Sequence, residues 1–275
     1  MKPLKGIRVL NLAVNLPGPA AAQRLQRMGA SVVKVEPPAG DPMELYNEQW
    51  YRDMAAGHTL VRLDLKSAEG RSRLDGLLKE TDLLISASRP AAMQRLGLGW
   101  NELHRNYPRL CQVAIIGYPA PRENEAGHDL TYQAALGLIN PPHMPRTLLA
   151  DMAGAEQTLS ASLALLLGRE RGLEAGYAEV ALSEAAAAMA EPLRYGCTTT
   201  GALLGGGIPE YNIYQAGEGW IALAALESHF KMRLESELGI TTLDQYRAVF
   251  ATKSAADWQK WGQEKDIPIV AVDGC

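Results

Sequence analysis

The chain predicts an α/β fold: a Rossmann-like doubly wound parallel sheet followed by a smaller α+β domain. Three observations predict it. Short apolar runs alternate with helical patterns from residue 7 onward. Most of these runs are closed by proline, glycine or a charged turn, and strand, helix, strand repeated in this way implies parallel strands joined by crossover helices. The pattern then changes near Tyr195, beyond which a glycine loop leads into a hairpin-like segment. The expected boundary therefore gives a large domain over 1–195 and a small domain over 196–275.

The elements follow in order. Residues 7–12 (IRVLNL) form a first strand closed by Pro17, Gly18 and Pro19, and AAAQRLQRMG after them is helical. SVVKVEP is a second strand, stopped by Pro37 and Pro38. A longer irregular stretch to Gly57 precedes a third strand, HTLVRLDL, and then a helix with Leu74, Leu77 and Leu78 on one face. DLLISAS and CQVAIIGY are two further strands separated by helix. A long helix with Ala155, Leu159, Leu163, Leu166 and Leu167 at helical intervals ends before Gly172, and YAEVAL and SEAAAAMAEPL give one more strand and a small-residue helix. In the small domain, YNIYQA and WIALAAL flank GEG as a hairpin, Trp258 and Trp261 share a helix, and IPIVAV is a last apolar run.

Composition excludes several classes. Hydrophobic residues make up 47% of the chain, charged residues 21%, and the net charge is −4. That balance points to a soluble globular protein with neither a disordered character nor a polybasic nucleic-acid surface. Cys111, Cys197 and Cys275 are far apart and odd in number, which argues against a disulfide framework and for a reducing cytoplasm. No apolar run is long enough for a signal peptide or a membrane span, so no membrane partner is expected.

The sheet suggests a nucleotide, but the turn after the first strand, NLPGP, has a single glycine. Dinucleotide binding needs the three glycines of GxGxxG for close pyrophosphate approach, and no GxxxxGK[ST] loop is present. The five histidines, His58, His104, His128, His143 and His229, never fall into a metal-ligand spacing, so no metal is assigned.

The stretch 127–151 is the most informative. It places an imidazole, His128, at one end and a carboxylate, Asp151, at the other, where the long helix begins. Taken alone, Asp151 is an ordinary helix cap and His128 a solvated loop residue. A carboxylate at the positive end of a buried helix also sits where developing negative charge is favoured.

The segments LKGIRVLNL, MGASVVKVEPPAGDP, RLDLKSAEGR, the RP pair before RLGLGW, NYPRL, GHDLTY, LLADMAG and LLGGGIPEYNIYQAGEGWIALAALESHF resemble, in order, the class III CoA-transferase family, which includes α-methylacyl-CoA racemases. The resemblance runs over nearly the whole chain. It implies a Rossmann-like CoA-binding large domain, a small domain, an interlocked homodimer, and an acyl-CoA thioester as substrate. Coenzyme A then enters as part of the substrate, with no covalently bound cofactor. The family's helix-starting aspartate falls on Asp151, the histidine of its GHD motif on His128, and the glutamate of its ALE motif on Glu227.

Two reactions follow from the resemblance. Epimerisation of a 2-methyl-type acyl-CoA, the leading expectation, needs a base on each face of the α-carbon and donors for the enolate oxygen. His128 and Asp151 would serve the two faces, with Glu227 orienting the imidazole. CoA transfer to a carboxylic acid, the alternative, needs only Asp151 as a shielded nucleophile forming an anhydride. A CoA-binding relative without catalysis is the third possibility. Arg89 of the RP motif is the leading candidate for a CoA phosphate contact, with Lys34 and Lys66 behind it, and Gly205, Gly206 and Gly207 are expected to form a flexible substrate loop. The chain departs from the family pattern where AAGHTLV, with His58, replaces a basic NRGK-like segment, at Ala91 and at Pro119. It also stops soon after VAV, so the usual C-terminal return segment is expected to be missing.

Overall fold

The computed structural model describes residues 1–273, and Cys275 lies outside them. The chain divides into two compact units, Met1–Ala190 and Glu191–Cys275.

In the first unit, β1 (Arg8–Asn11) leads through α1 (Pro17–Arg27) to β2 (Ser31–Glu36), and two short helices, α2 (Met43–Tyr46) and α3 (Glu48–Ala55), precede β3 (Thr59–Arg62). Helix α4 (Ala68–Leu78) leads to β4 (Leu83–Ser86), and α5 (Pro90–Arg95) with α6 (Trp100–Asn106) leads to β5 (Cys111–Ile116). Then come α7 (Asp129–Ala135), α8 (Leu149–Glu170), β6 (Tyr177–Ala181) and α9 (Leu182–Met189). The six strands pair in parallel in the order β3-β2-β1-β4-β5-β6. The order reverses between β1 and β4. Chains leaving those two strands diverge at their carboxyl ends and open a crevice there.

Side-chain alternation assigns the two faces of the sheet. Val9, Leu83, Ile85, Val113 and Ile115 pack with Leu25 of α1 and Leu159 and Leu166 of α8. Leu10 and Leu84 point the other way, against Leu74 and Leu78 of α4 and Leu103 of α6. Strand β5 is buried at all six positions, which explains why CQVAII is a continuous apolar run rather than an alternating one. Leu84 is fully buried, so truncating it to alanine removes on the order of 2–5 kcal/mol.

The stretch after Pro38 that the sequence suggests is irregular contains α2 and α3. Asn47 accepts a hydrogen bond from Trp50 N at 2.9 Å and so starts α3, while Tyr51 and Met54 bury one face of it. Four and eight residues are too short for the apolar period to stand out.

The second unit begins with α10 (Glu191–Arg194), followed by a tight turn at Leu203–Gly207. Strands β7 (Tyr211–Gln215) and β8 (Trp220–Ala224) form the expected hairpin, then come α11 (Ser228–Leu238), α12 (Leu243–Phe250), α13 (Ala255–Lys265) and β9 (Ile269–Ala271). The strands form an antiparallel sheet in the order β7-β8-β9. Tyr214, Tyr246, Phe250 and Trp258 fill its core, and the indole N–H of Trp258 donates to Phe250 O at 2.8 Å. The buried indole thus has its polar atom satisfied.

Candidate active site

A cavity of about 690 Å³ opens in the first unit beyond the carboxyl ends of the parallel strands. Its walls come from the segments after β1 (Asn15), before and within α3 (Asn47, Trp50), after β4 (Arg89), around the start of α7 (His128, Tyr132), and from Asp151.

A buried ionic network holds one wall in place. After β1, the Asn11 carboxamide oxygen accepts from Ala13 N at 2.9 Å, and the chain reaches Asn15 in the left-handed region, φ 66°. Asp41 fixes that conformation, because one of its oxygens accepts from Asn15 N at 2.8 Å and from Met43 N at 2.9 Å. Its other oxygen meets the Lys34 ammonium at 2.6 Å, and Lys34 also meets Glu36 at 3.1 Å. Lys34, Glu36 and Asp41 are all at most 3% exposed, and the Tyr51 hydroxyl donates to Glu36 at 2.8 Å. Burial and the Glu36 carboxylate raise the phenol pKa of Tyr51 above its ordinary range. Lys34 is therefore engaged inside the unit, and its ammonium is not presented to a phosphate.

The opposite wall is built around α7 and the head of α8. His128 is the N-cap of α7; its N–H donates to Thr131 Oγ1 at 3.1 Å, and the Thr131 hydroxyl donates back to His128 O at 2.8 Å. This fixes the backbone and leaves the imidazole exposed at the cavity. Asp129, buried at 4% exposure, opens α7. One of its oxygens accepts from Asp151 N at 3.0 Å and the other from Gln133 Nε2, which also donates to Thr147 O at 3.0 Å.

Asp151 is not the cap of the long helix. Helix α8 starts at Leu149 with Leu148 at the N-cap, so Asp151 is its third residue. The carboxylate that accepts a first-turn N–H of α8 belongs to Asp129, 22 residues earlier. Freed from capping, the Asp151 carboxylate faces the cavity, and its pKa is raised from the ordinary 3.8 to about 6. Burial is the main cause and the negative charge of Asp129 adds to it, while His128 opposes both.

The other sequence candidates fall in different places. Arg89 is the N-cap of α5, exposed, and lines the same cavity as His128 and Asp151. Lys66 is exposed in the turn after β3 and is not among the lining residues. His58 is half-buried and its pKa is lowered to about 4, chiefly by burial and then by Lys34, so His58 itself supplies no cation at neutral pH.

Glu227 lies in the second unit as the exposed N-cap of α11, without a side-chain capping bond. Gly205, Gly206 and Gly207 do not form the loose loop that their composition suggests. A Cβ on Gly205 would stand 1.9 Å from Thr199 O, one on Gly207 would stand 2.3 Å from Gly201 O, and Gly206 has φ +84°. Backbone contact at Gly205 and Gly207 and the left-handed φ at Gly206, rather than slack, demand the three glycines.

Sequence reasoning passed over Asp129 and Tyr132, although both stand in GHDLTY at a spacing of three, which puts them on one face of α7. Trp50 and Asn15 carried no local signal.

Comparison with known proteins agrees with this architecture. The sequence model of CoA-transferase family III matches residues 4–273. The chain is 28% identical over 263 residues to the succinyl-CoA–D-citramalate CoA-transferase of Chloroflexus aurantiacus, covering 86% of this chain and 65% of that protein. It is 28% identical over 288 residues to the alpha-methylacyl-CoA racemase of Homo sapiens, covering 93% and 74%. The chain thus spans less than the full length of both relatives, about 65% of the first. Among solved structures, a hypothetical protein of Mycobacterium tuberculosis superposes with a TM-score of 0.86 over 98% of this chain and 85% of that one, at 24% identity, which shows a shared fold.

Proposed function

We propose, from the premise that this chain belongs to CoA-transferase family III, that it acts on acyl-CoA thioesters, and that its reaction is epimerisation at the α-carbon of a 2-methyl-type acyl group. The observation that carries this is the pairing of His128 with Asp151 on one cavity. A thioester bound between them would meet one base on each face of its α-carbon. One group takes the proton as the C–H electrons pass into the enolate, and the other returns a proton from the opposite side. A carboxyl titrating at about 6 is suited to both roles near neutrality. Arg89, at the rim, is proposed to hold a CoA phosphate.

CoA transfer is the second reading, supported by the desolvated Asp151 carboxylate and by the family's transferase members. There Asp151 attacks the thioester carbonyl, CoA leaves as the thiolate, and a carboxylic acid then takes the acyl group from the anhydride. Incubation of 2-methylacyl-CoA in deuterated water decides between them. Deuterium entering the α-carbon with loss of stereochemical purity supports epimerisation. Absence of exchange, with CoA moved to an added carboxylate acceptor, replaces it by transfer.

A further inference from the structure

Both reactions place negative charge on the same atom, the thioester carbonyl oxygen, and an enzyme lowers that barrier by aiming donors at it before the charge forms. The backbone N–H of Asp151 is already donated to Asp129, at 3.0 Å. The cavity holds another donor. Tyr132, on α7, is 2% exposed, lines the cavity, and has a hydroxyl with no hydrogen-bond partner among the described residues. A buried hydroxyl left unpaired costs on the order of 1–3 kcal/mol, so the fold keeps it at a disadvantage that a bound ligand can remove.

The surroundings hold that hydroxyl in position. The ring packs edge-on against Tyr118, with centroids 5.2 Å apart. Two glycines leave room for its end: a Cβ on Gly117 would stand 2.6 Å from the hydroxyl oxygen, and one on Gly127 would stand 2.5 Å from it. The phenol is pushed up to about 12 by burial, then by Tyr118 and by the nearby Asp151 charge, so the group keeps its proton and can donate throughout the working range.

We propose that the Tyr132 hydroxyl is a hydrogen-bond donor to the thioester carbonyl oxygen of the substrate, completing a site in which Asp151 N–H is engaged elsewhere. This rests on the acyl-CoA reading above. In epimerisation the α-proton leaves to His128 or Asp151, the C–H pair forms the carbon–carbon double bond, and the carbonyl π pair moves to oxygen against Tyr132. In transfer the same π pair moves to oxygen as Asp151 attacks carbon, and returns as CoA thiolate departs. Tyr132 gives up no proton in either case.

The test uses Tyr132→Phe and Gly117→Ala in the full chain, singly and together. With 2-methylacyl-CoA labelled at the thioester carbonyl, infrared difference spectra should show the bound carbonyl stretch lowered in the parent protein and restored toward its solution position in Tyr132→Phe. Turnover, by exchange or transfer, should fall about 100-fold in kcat with KM within about threefold. Gly117→Ala should give a similar loss by displacing the hydroxyl, yet add nothing to Tyr132→Phe, where the nearest ring carbon is 3.7 Å from the new methyl. An unlowered carbonyl in the parent, an unchanged kcat in Tyr132→Phe, or additive losses in the double variant would overturn the assignment. A lowered carbonyl without turnover would count against the reaction proposed above and leave the Tyr132 contact standing.

Discussion

The carboxylate of Asp129 accepts the backbone N–H of Asp151 at 3.0 Å. This bond joins the start of α7 to the start of α8 and sets two acidic side chains side by side, one buried and hydrogen-bonded, the other facing the cavity. The capping role that Asp151 could have filled is taken by its neighbour, and the neighbour's charge helps to hold Asp151 protonated up to about pH 6.

Asp129→Asn keeps an oxygen acceptor for Asp151 N–H while removing the charge. The acidic limb of the kcat/KM profile, expected near pH 6 in the parent from ionisation of Asp151, should move to lower pH by up to about one unit. A steady-state pH series on both proteins measures it, and an unmoved limb would assign that titration to another group.

Asp151→Asn should abolish turnover and stabilise the fold at the same time. The folded pKa of Asp151 is raised above the unfolded value of 3.8, so the folded state favours the proton: the cost is absent below pH 4 and is fully present once pH has risen through about 6. A shift of this size, discounted for partial access of water, corresponds to about 2 kcal/mol. Urea titrations should show the variant more stable than the parent at pH 8 and equal to it near pH 4.

His128→Ala should separate the two chemistries. Loss of the imidazole should reduce α-proton exchange by at least about 100-fold while leaving any CoA transfer through Asp151 within a few-fold of the parent. Equal loss of both activities would place His128 in substrate binding instead.

The three candidate cations should behave differently. Arg89→Ala is expected to weaken CoA binding by about tenfold, with the difference shrinking at high salt, because an exposed guanidinium at the rim acts through a screened charge-assisted contact. Lys66→Ala should leave affinity unchanged. Lys34→Met should instead cost on the order of 3–5 kcal/mol of stability by stranding Glu36 and Asp41 in the interior. Calorimetric titration with CoA and thermal unfolding of the three variants distinguish these outcomes.

What could be read in the sequence was what depends on neighbours in the chain. The run CQVAII shows a fully buried strand because both faces are apolar, and GEG between two apolar runs shows the β7–β8 hairpin. Lys34 could not be placed, since a lysine within VVKVE reads as a cation awaiting a phosphate until Asp41, beyond the proline–glycine turn, is seen to hold it. LLADMAG shows that Asp151 stands in the first turn of a helix, but the acceptor for its N–H lies 22 residues away, and no local pattern reveals that. Tyr132 and Asp129 were visible within GHDLTY, yet only burial and pairing distinguish the unpartnered hydroxyl from the satisfied carboxylate.

The anchoring of Asn15 and Met43 by one carboxylate constrains how this chain can diverge. Position 41 must keep an oxygen acceptor, because two backbone amides of the cavity wall depend on it. Charge at that position, by contrast, is needed only while Lys34 is present. Descendants that lose the lysine are therefore expected to carry asparagine at 41 and an uncharged residue at 36, so that the three positions vary together across homologous sequences while the turn between them keeps its shape.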